Sequence, residues 1–166
     1  MTKSVIFLIS LSLLYHVHAQ DAAQPAAEDC DPDWKSLSNG CYFTEVKKMN
    51  WQAAKDYCTE KKAKMVVVEN KEIQAEIAAA FKELTDEPNK NRFWLDAKEV
   101  EKDGAKVWKV KEETEDATFK PWGTNAEAGP GDCIRSDGDL NWWRDDCTKD
   151  ECCGGFTFNP LCVMPK

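Results

Sequence analysis

The stretch NWQAAKDYC, residues 50–58, decides the fold prediction because it joins a helix start, an apolar stripe and a cysteine. Asn50 is a favourable N-cap, since its side-chain oxygen can accept a hydrogen bond from a backbone N–H of the first turn. The apolar residues that follow recur at roughly helical spacing, namely Trp51, Ala54, Tyr57 and Cys58. This pattern predicts a helix from Asn50 to about Lys62 that buries one face and its cysteine.

A turn and a strand precede this helix. Asn39-Gly40 is a strong turn dipeptide, and residues 42–44 (Tyr-Phe-Thr) follow it as a short strand candidate. Cys30 and Cys41 flank the turn. They are near enough along the chain to staple a local hairpin.

A buried strand and a second helix follow the first helix. Residues 65–68 are rich in valine and predict a short buried strand. The second helix should begin at Asn70, and Pro88 lies beyond its end. Its apolar residues share one helical face, and they are Ile73, Ile77, Ala80, Phe81 and Leu84.

After Pro88 the pattern becomes one of short strands and loops. Strands are predicted at residues 93–95 and 107–110, with Asp103-Gly104 as the turn between them. Residues 121–131 are rich in Gly, Pro, Ala and Asn and indicate a long loop. Further strands are predicted at residues 133–134, 141–143 and 161–163. Two helices followed by many short strands predict an α+β domain.

The first 19 residues predict a secretory signal peptide. Lys3 supplies a short basic segment, residues 5–14 are apolar apart from two serines, and Ala19 suits cleavage before Gln20. A membrane anchor is the alternative, but the run is shorter than the roughly 20 apolar residues that a span needs. Residues 20–29 are predicted to be a flexible leader, and residues 30–166 the folded domain.

The cysteine count agrees with export. All eight cysteines follow the predicted cleavage site, which favours up to four disulfides in an oxidising compartment. None of them form the C-x-x-C spacing of a zinc knuckle, which argues against a metal site made of cysteine alone. They are Cys30, Cys41, Cys58, Cys133, Cys147, Cys152, Cys153 and Cys162.

Composition argues against several classes of function. Both histidines, His16 and His18, lie in the predicted signal peptide. The remaining chain then has no Ser-His or Cys-His nucleophile pair and no His-ligated zinc. Lys and Arg number 22 against 30 Asp and Glu, a net charge of −8 that disfavours nucleic acid and anionic membrane as partners. Catalysis by a pair of carboxylates remains an alternative, but such pairs cannot be recognised from spacing alone. We therefore predict a binding protein and not an enzyme.

Taken in order, these motifs resemble the C-type lectin-like family in its long form, over residues 30–162. Trp51-x-x-Ala54-x-x-x-Cys58 matches the first helix of the family. Residues 93–97 are similar to its Trp-Ile-Gly-Leu core segment, with Asp96 in place of Gly. The other matching positions are Cys30 with Cys41, Glu72, Phe119, Trp122, Cys133, Trp143-x-Asp145 and Cys162. The resemblance implies two helices, short antiparallel strands and a long loop, stapled by disulfides.

The resemblance also implies part of the disulfide pairing. It pairs Cys58 with Cys162, and Cys30 with Cys41. Cys133 should pair with Cys147, or with one of the adjacent cysteines Cys152 and Cys153. The two cysteines left over then form a fourth bond or pair with another chain.

Sugar-binding members of the family hold a calcium ion in the long loop. The ion itself binds two hydroxyls of the sugar. Their ligands come from a Glu-Pro-Asn motif, a Glu two residues before a framework cysteine, and a Trp-Asn-Asp motif. Here the first motif is Glu127-Ala128-Gly129, the second position is Gly131, and the third motif is Trp143-Arg144-Asp145.

Two of the five expected calcium ligands therefore remain, Glu127 and Asp145. Calcium needs about 6–8 oxygen ligands, and the guanidinium of Arg144 would stand where an amide oxygen is required. We expect the standard calcium–sugar site to be absent or much weakened, with these two carboxylates as ordinary surface charges. Calcium is the one cofactor to consider, and the sequence argues against it.

A second acidic segment, residues 137–141, begins like an EF-hand loop. It has Trp142 and Thr148 where such a loop requires Gly and Glu, so an EF-hand is rejected. We interpret the acidic cluster, residues 132–151, as a solvated turn; a loosely held cation is the alternative.

The neighbouring tryptophans Trp142 and Trp143 should point to opposite faces of a strand. One is expected in the core and the other exposed, where it would offer a platform for a sugar ring or a protein partner. The alternative is that both are buried under the long loop. With Asn141, Glu127 and Asp145, these tryptophans make up the predicted ligand-binding set.

The function predicted from all these features is a secreted, extracellular, lectin-like recognition protein with an eroded calcium site. It would bind a glycan or a glycosylated surface through residues 127–145. The alternative is a calcium-independent protein-binding or structural module whose partner is an extracellular protein. Neither function involves nucleic acid or insertion into a membrane.

Overall fold

The computed structural model describes residues 30–85, 91–152 and 155–166. The predicted signal peptide, leader and Pro88 lie outside these ranges. The helices are α1 (Trp51–Glu60), α2 (Lys71–Ala80), α3 (Lys82–Thr85) and one 3-10 helix, η1 (Ala126–Ala128). No helix within the described ranges is long and apolar enough to cross a membrane.

Ten short strands accompany the helices in the described parts of the chain. The first five are β1 (Lys35–Leu37), β2 (Gly40–Thr44), β3 (Lys64–Met65), β4 (Asn91–Lys102) and β5 (Ala105–Val110). The others are β6 (Glu115–Asp116), β7 (Cys133–Ser136), β8 (Trp142–Asp145), β9 (Glu151–Cys152) and β10 (Phe156–Pro165).

The sheet is organised around the last strand. Its order is β1-β2-β10-β4-β5-β6, so that β10 runs antiparallel to β2 and parallel to β4. A second branch leaves β4, because β7 pairs with β4 and β8 pairs with β7. Three short strands precede or separate the α-helices, and the remaining seven follow them, so that helices and a mainly antiparallel sheet form the α+β domain that the sequence predicted.

Both predicted helix starts are confirmed. The Asn50 side chain accepts a hydrogen bond from the Ala53 N–H at 2.9 Å, and the Asn70 side chain accepts one from the Ile73 N–H at 2.9 Å. Each asparagine therefore satisfies one of the backbone donors that a helix start leaves free. The Asp103-Gly104 turn is also confirmed, and both of its residues have positive φ angles, 54° and 78°.

Two predicted elements are shorter in the structure. The strand predicted at residues 65–68 is reduced to β3, because Val66 bonds to two different strands: its N–H donates to Leu161 O, and its carbonyl accepts from Asp96 N. The second helix ends at Ala80, and Phe81 is its C-cap. The predicted strand at residues 141–143 begins one residue later, at Trp142.

The core consists of two buried clusters. One surrounds Cys58 and Cys162 and includes Trp51 and Trp94, while the other lies between α2 and the sheet and reaches Trp142. Burial of apolar surface contributes about 25 cal/mol per Å² to the free energy of folding, so these large rings dominate the stabilisation.

Three disulfides are present in the described residues. Cys30 bonds to Cys41 and Cys58 bonds to Cys162, as the resemblance implied. Cys133 bonds to Cys147, which selects one of the alternatives that the sequence left open. Cys153 lies outside the described residues, so the fourth bond stays a prediction.

Candidate functional site

The long loop, residues 121–131, is anchored to β8 at its start. Trp142 N–H donates to Pro121 O at 2.6 Å, and Gly123 N–H donates to Trp142 O at 3.0 Å. The loop then forms η1, preceded by Asn125 in the left-handed conformation with φ of 61°. The segment predicted as a loop therefore contains one helical turn and a fixed entry point.

Three tryptophans pack beneath this entry point. The ring centroids of Trp108, Trp122 and Trp142 lie 5.4–6.2 Å apart with edge-to-face geometry, an arrangement favoured for aromatic rings. Trp142 is only 1% exposed, and its Nε1 is buried with no hydrogen-bond partner in the described part of the chain. Of the two neighbouring tryptophans, Trp142 is thus the core residue, and Trp143 is partly exposed.

Arg144 fastens the far end of the long loop. Its Nε donates to Gly131 O, and one terminal nitrogen pairs with Glu99 and lies 3.4 Å from Asp132 Oδ1. Burial of Glu99 opposes its ionisation, but the hydrogen bond from Lys106 and the charge of Arg144 outweigh this, so the pKa of Glu99 lies below its usual value. The guanidinium of Arg144 on β8 is thus held between the long loop and β4.

Gly131 cannot be exchanged for the glutamate that calcium-binding relatives would need there. Its φ is +88°, and a Cβ at this position would lie 2.2 Å from Asp145 O. Both the backbone conformation and the space therefore require glycine. The loop follows a path on which this calcium ligand has no room.

The remaining candidate ligands do not fit a calcium ion either. Glu127 is exposed on η1. Asp145 is buried: its Oδ2 accepts from Arg135 Nε at 2.8 Å, and its Oδ1 lies 3.6 Å from Lys149 Nζ. In the described ranges no group of three Asp, Glu, His or Cys residues could hold a metal. Asp145 is engaged with two cations of the protein itself.

In the acidic turn at residues 137–141, the carboxylate of Asp137 accepts hydrogen bonds from the turn itself and from Trp143. The Oδ1 atom of Asp137 accepts from the N–H groups of Asp139 and Asn141, and its Oδ2 accepts from Asn141 Nδ2 and Trp143 Nε1. With four donors on its two oxygens, Asp137 organises the turn. Asn141 likewise accepts from Gln74 at 3.1 Å, so this predicted site residue connects the turn to α2.

A pocket of about 310 Å³ opens between the long loop and β8. We call it the long-loop pocket. Of the predicted ligand-binding residues it includes Trp143 and Asp145; Glu127, Asn141 and Trp142 are not among its lining residues. Three polar residues that the sequence did not single out complete it, namely Asn125, Arg135 and Lys149.

Arg135 lines this pocket, although its position in the sequence did not indicate a site residue. It lies on β7 opposite Trp143 of β8, so Asp145 is its diagonal neighbour two residues further along. Its side chain is 10% exposed. The signal available in the sequence was a charged residue inside an apolar strand, which requires a partner when it is buried.

Asp96, which replaces the glycine of the family's core segment, lies outside the long-loop pocket. Burial raises the pKa of its carboxyl, although Oδ2 accepts a hydrogen bond from Glu112 N–H at 2.9 Å. Lys111, Glu112 and Glu113 all have positive φ angles. The hydrogen bond from Glu112 ties this left-handed turn to β4, which gives Asp96 a structural role.

Residues 47–153 match the sequence profile of the lectin C-type domain. Among curated proteins, snaclec bothrojaracin subunit beta of Bothrops jararaca is 47% identical over 34 residues, 20% of this chain and 23% of that protein. C-type lectin domain family 4 member G of Homo sapiens is 40% identical over 43 residues, 26% of this chain and 15% of that protein. The matches thus span less than a quarter of either relative.

Solved structures share the fold at low identity. Human lithostathine superposes with a TM-score of 0.67 at 21% identity, covering 90% of this chain and 99% of that chain. The mouse scavenger receptor C-type lectin carbohydrate-recognition domain gives 0.63 at 21%, covering 83% and 99%. A calcium-independent type II antifreeze protein gives 0.62 at 17%, covering 86% and 98%.

These similarities agree with the order of motifs in the sequence and with the helices, strands and disulfides described above. The profile covers well over half of the chain, and the structural neighbours share its fold. The chain belongs to the C-type lectin domain family.

Proposed function

We propose that this protein is a lectin-like recognition protein that binds glycans at the long-loop pocket without calcium. The observation that carries the proposal is the partly exposed ring of Trp143 beside the polar groups of Arg135, Asp145 and Lys149. An aromatic ring offers a flat apolar surface to the C–H face of a sugar. The polar groups can bond sugar hydroxyls directly, which is the task that calcium performs in other members.

Calcium-free binding is supported by the fate of the expected ligands. Gly131 leaves no room for a carboxylate, and Asp145 is neutralised by Arg135 and Lys149. A ligand of this pocket would therefore meet protein groups and not a metal ion.

Export and domain extent belong to the same proposal. Residues 1–19 are proposed to be removed as a signal peptide, residues 20–29 to form a leader, and residues 30–166 to act as the lectin-like domain outside the cell. The same proposal includes a binding role without catalysis, because the chain after residue 19 has no histidine for a Ser-His or Cys-His nucleophile pair.

A protein-binding or structural module is the second candidate. The curated relative named as a subunit, snaclec bothrojaracin subunit beta, favours it. Against it, Val46 is the one large hydrophobic residue found exposed within the described residues, at 62%. A stable protein interface usually has an apolar centre, so we place this candidate second.

The test is binding of the oxidised protein, beginning at Gln20, to a glycan array in EDTA and in millimolar calcium. We expect the same glycans to bind in both buffers. Trp143→Ala should abolish binding, whereas Trp34→Ala, a control at a partly buried tryptophan that packs on Phe43, should retain it. If no glycan binds and an extracellular protein is retained irrespective of EDTA, the second candidate replaces the first.

A further inference from the structure

The long-loop pocket has a surplus of positive charge in an acidic chain. Two cations, Arg135 and Lys149, line it together with one carboxylate, Asp145. Arg144 also borders the pocket, but its guanidinium is engaged with Glu99 and Asp132. Since the whole chain has a net charge of −8, the local charge is opposite in sign to that of the protein.

Arg135 presents donors that nothing in the described residues accepts. Its guanidinium carbon lies 5.4 Å from the ring centroid of Trp143 and 5.7 Å from that of Phe158, so two rings hold it in place. The bond from Nε to Asp145 is the one hydrogen bond of its side chain in the described ranges. The two terminal nitrogens of this nine-tenths-buried side chain are therefore available for an acceptor in the pocket.

We infer that the pocket binds the anionic group of an acidic sugar, a carboxylate or a sulfate ester, on Arg135 and Lys149. This inference rests on the proposed function and names its ligand class. A guanidinium held in a fixed orientation matches the paired oxygens of such anions. Lys149, whose side chain is 48% exposed, adds a second charge at the rim.

The remaining wall of the pocket favours a sugar over an acidic peptide. The partly exposed ring of Trp143 gives the sugar an apolar surface, and the amide of Asn125 can bond its hydroxyls. A volume of about 310 Å³ is at the lower end of the range for small-molecule sites. Such a pocket admits one sugar ring with its substituent, and an extended peptide would need a longer groove.

The experiment compares charged polysaccharides with neutral counterparts of the same sugar, in EDTA. Immobilised polygalacturonate is set against its methyl ester, and dextran sulfate against dextran, with the oxidised protein in solution. We expect at least one charged member to bind about tenfold or more tightly than its neutral counterpart, and binding to weaken as salt rises from 0.15 M. The pair that shows the difference identifies carboxylate or sulfate as the anion.

Two variants and a control locate the binding. Lys149→Met should weaken binding of the charged polymer about tenfold. Arg135→Lys should do the same, because it retains a positive charge near Asp145 but loses the planar fork. Lys71→Met, at an exposed position on α2 outside the pocket, should bind as the parent does. Urea unfolding of each variant shows whether it folds. If Arg135→Lys does not fold, Lys149→Met alone tests the inference.

Each other result would overturn the inference in a recognisable way. Equal binding of charged and neutral polysaccharides, unaffected by Lys149→Met, would leave glycan recognition standing and remove the anionic ligand. Binding of poly-glutamate as tight as that of polygalacturonate would show that a sugar ring is not required. Failure of every polysaccharide, together with an empty glycan array, would overturn the proposed function itself.

Discussion

The two ends of the domain bury similar tryptophans but are held by different interactions. At the core end, around the Cys58–Cys162 bond, Trp51 Nε1 donates to Leu95 O and Trp94 Nε1 donates to Met49 O. At the loop end, comprising the long loop and the β7–β8 hairpin with its turn, the side chains of Arg144, Arg135 and Asp137 make ion pairs and hydrogen bonds. The core end is closed by a long covalent link and by hydrogen bonds to backbone carbonyls, whereas the loop end adds ion pairs to a shorter covalent link, Cys133–Cys147.

The positions at which this chain departs from the expected calcium-binding motifs, Ala128, Gly129, Gly131 and Arg144, all lie at the loop end. There, Arg144 binds the loop carbonyl of Gly131 and the carboxylate of Glu99. A cation that is part of the chain does not leave when calcium is removed. Under the proposed function, the loop end would therefore keep its shape and its pocket in any calcium concentration.

The largest expected effect comes from removing the disulfide at each end. Cys58→Ala with Cys162→Ala opens a link between residues 104 apart in the chain and should lower the free energy of unfolding by about 4–5 kcal/mol. Cys133→Ala with Cys147→Ala opens a link between residues only 14 apart and should cost about 3 kcal/mol. Guanidinium unfolding of both double variants measures the difference.

Equal losses in the two double variants would contradict the expectation that the longer link at the core end contributes more to the free energy of unfolding. The single-variant proteins are unsuitable as a comparison, because each leaves a reactive thiol. Both double variants replace one disulfide by two alanines, so the main difference between them is the length of chain that the disulfide encloses.

The next effect concerns Arg144. Arg144→Ala should lower the free energy of unfolding by about 2 kcal/mol, since it leaves Glu99, whose side chain is 8% exposed, with Lys106 as its one remaining side-chain partner among the described residues. Lys106→Ala is the matched control at the other partner of Glu99. Its side chain is 67% exposed, so its removal should cost less than about 1 kcal/mol.

Arg144→Asn restores the residue type of calcium-binding relatives and sharpens the same comparison. We expect its unfolding midpoint to be the same in millimolar calcium and in EDTA, because Gly129 and Gly131 still supply no ligand. A rise of several degrees in calcium for the parent would show that Glu127 and Asp145 suffice to hold the ion, and a rise for the variant alone would show that they need the added amide.

Local signals in the sequence predicted the fold well. Asn50, Asn70 and Asp103-Gly104 each act through neighbouring backbone groups, so a short stretch of sequence contains the whole interaction. The ordered motifs and cysteines extended these signals to the family. The reduction of the strand at residues 65–68 could not be predicted, because it depends on Val66 bonding to two strands that are distant in sequence.

The site was predicted less completely, because its contacts cross between elements. Asp145 looked like a remaining calcium ligand, and only the pairing of β7 with β8 brings Arg135 beside it. Lys149 adds a second charge from beyond the end of β8. Spacing along the chain does not reveal such pairs, since their register is set by the folded sheet.

The two buried tryptophans offer a matched comparison of the ends. Trp94→Phe should lower the free energy of unfolding more than Trp142→Phe does, by about 1–2 kcal/mol. Their rings are equally buried, at 0% and 1% exposure, so the apolar loss is similar. The substitution Trp94→Phe leaves the carbonyl of Met49 without its donor, whereas the Nε1 of Trp142 has no partner to lose within the described residues. Equal losses in urea unfolding would contradict this.

The smallest effect is an opposite pH response of two carboxylates on β4. Burial raises the pKa of Asp96, so its folded form holds the proton more tightly, and its ionisation lowers the free energy of unfolding as pH rises from about 4 to the raised pKa. The pKa of Glu99 is lowered, so its contribution is present above about pH 4.3 and is lost as pH falls through the lowered pKa.

Unfolding measured between pH 3 and pH 7 for Asp96→Asn and Glu99→Gln separates the two responses. Asp96→Asn should be more stable than the parent at pH 7, with the advantage vanishing at pH 3, because a neutral amide resembles the protonated acid. Glu99→Gln should be less stable at pH 7 and approach the parent only as pH falls through the lowered pKa of the parent's carboxyl. Parallel curves for parent and variants would mean that neither carboxylate titrates differently in the folded protein. The charge network of Arg144 would then contribute no pH dependence to the loop end.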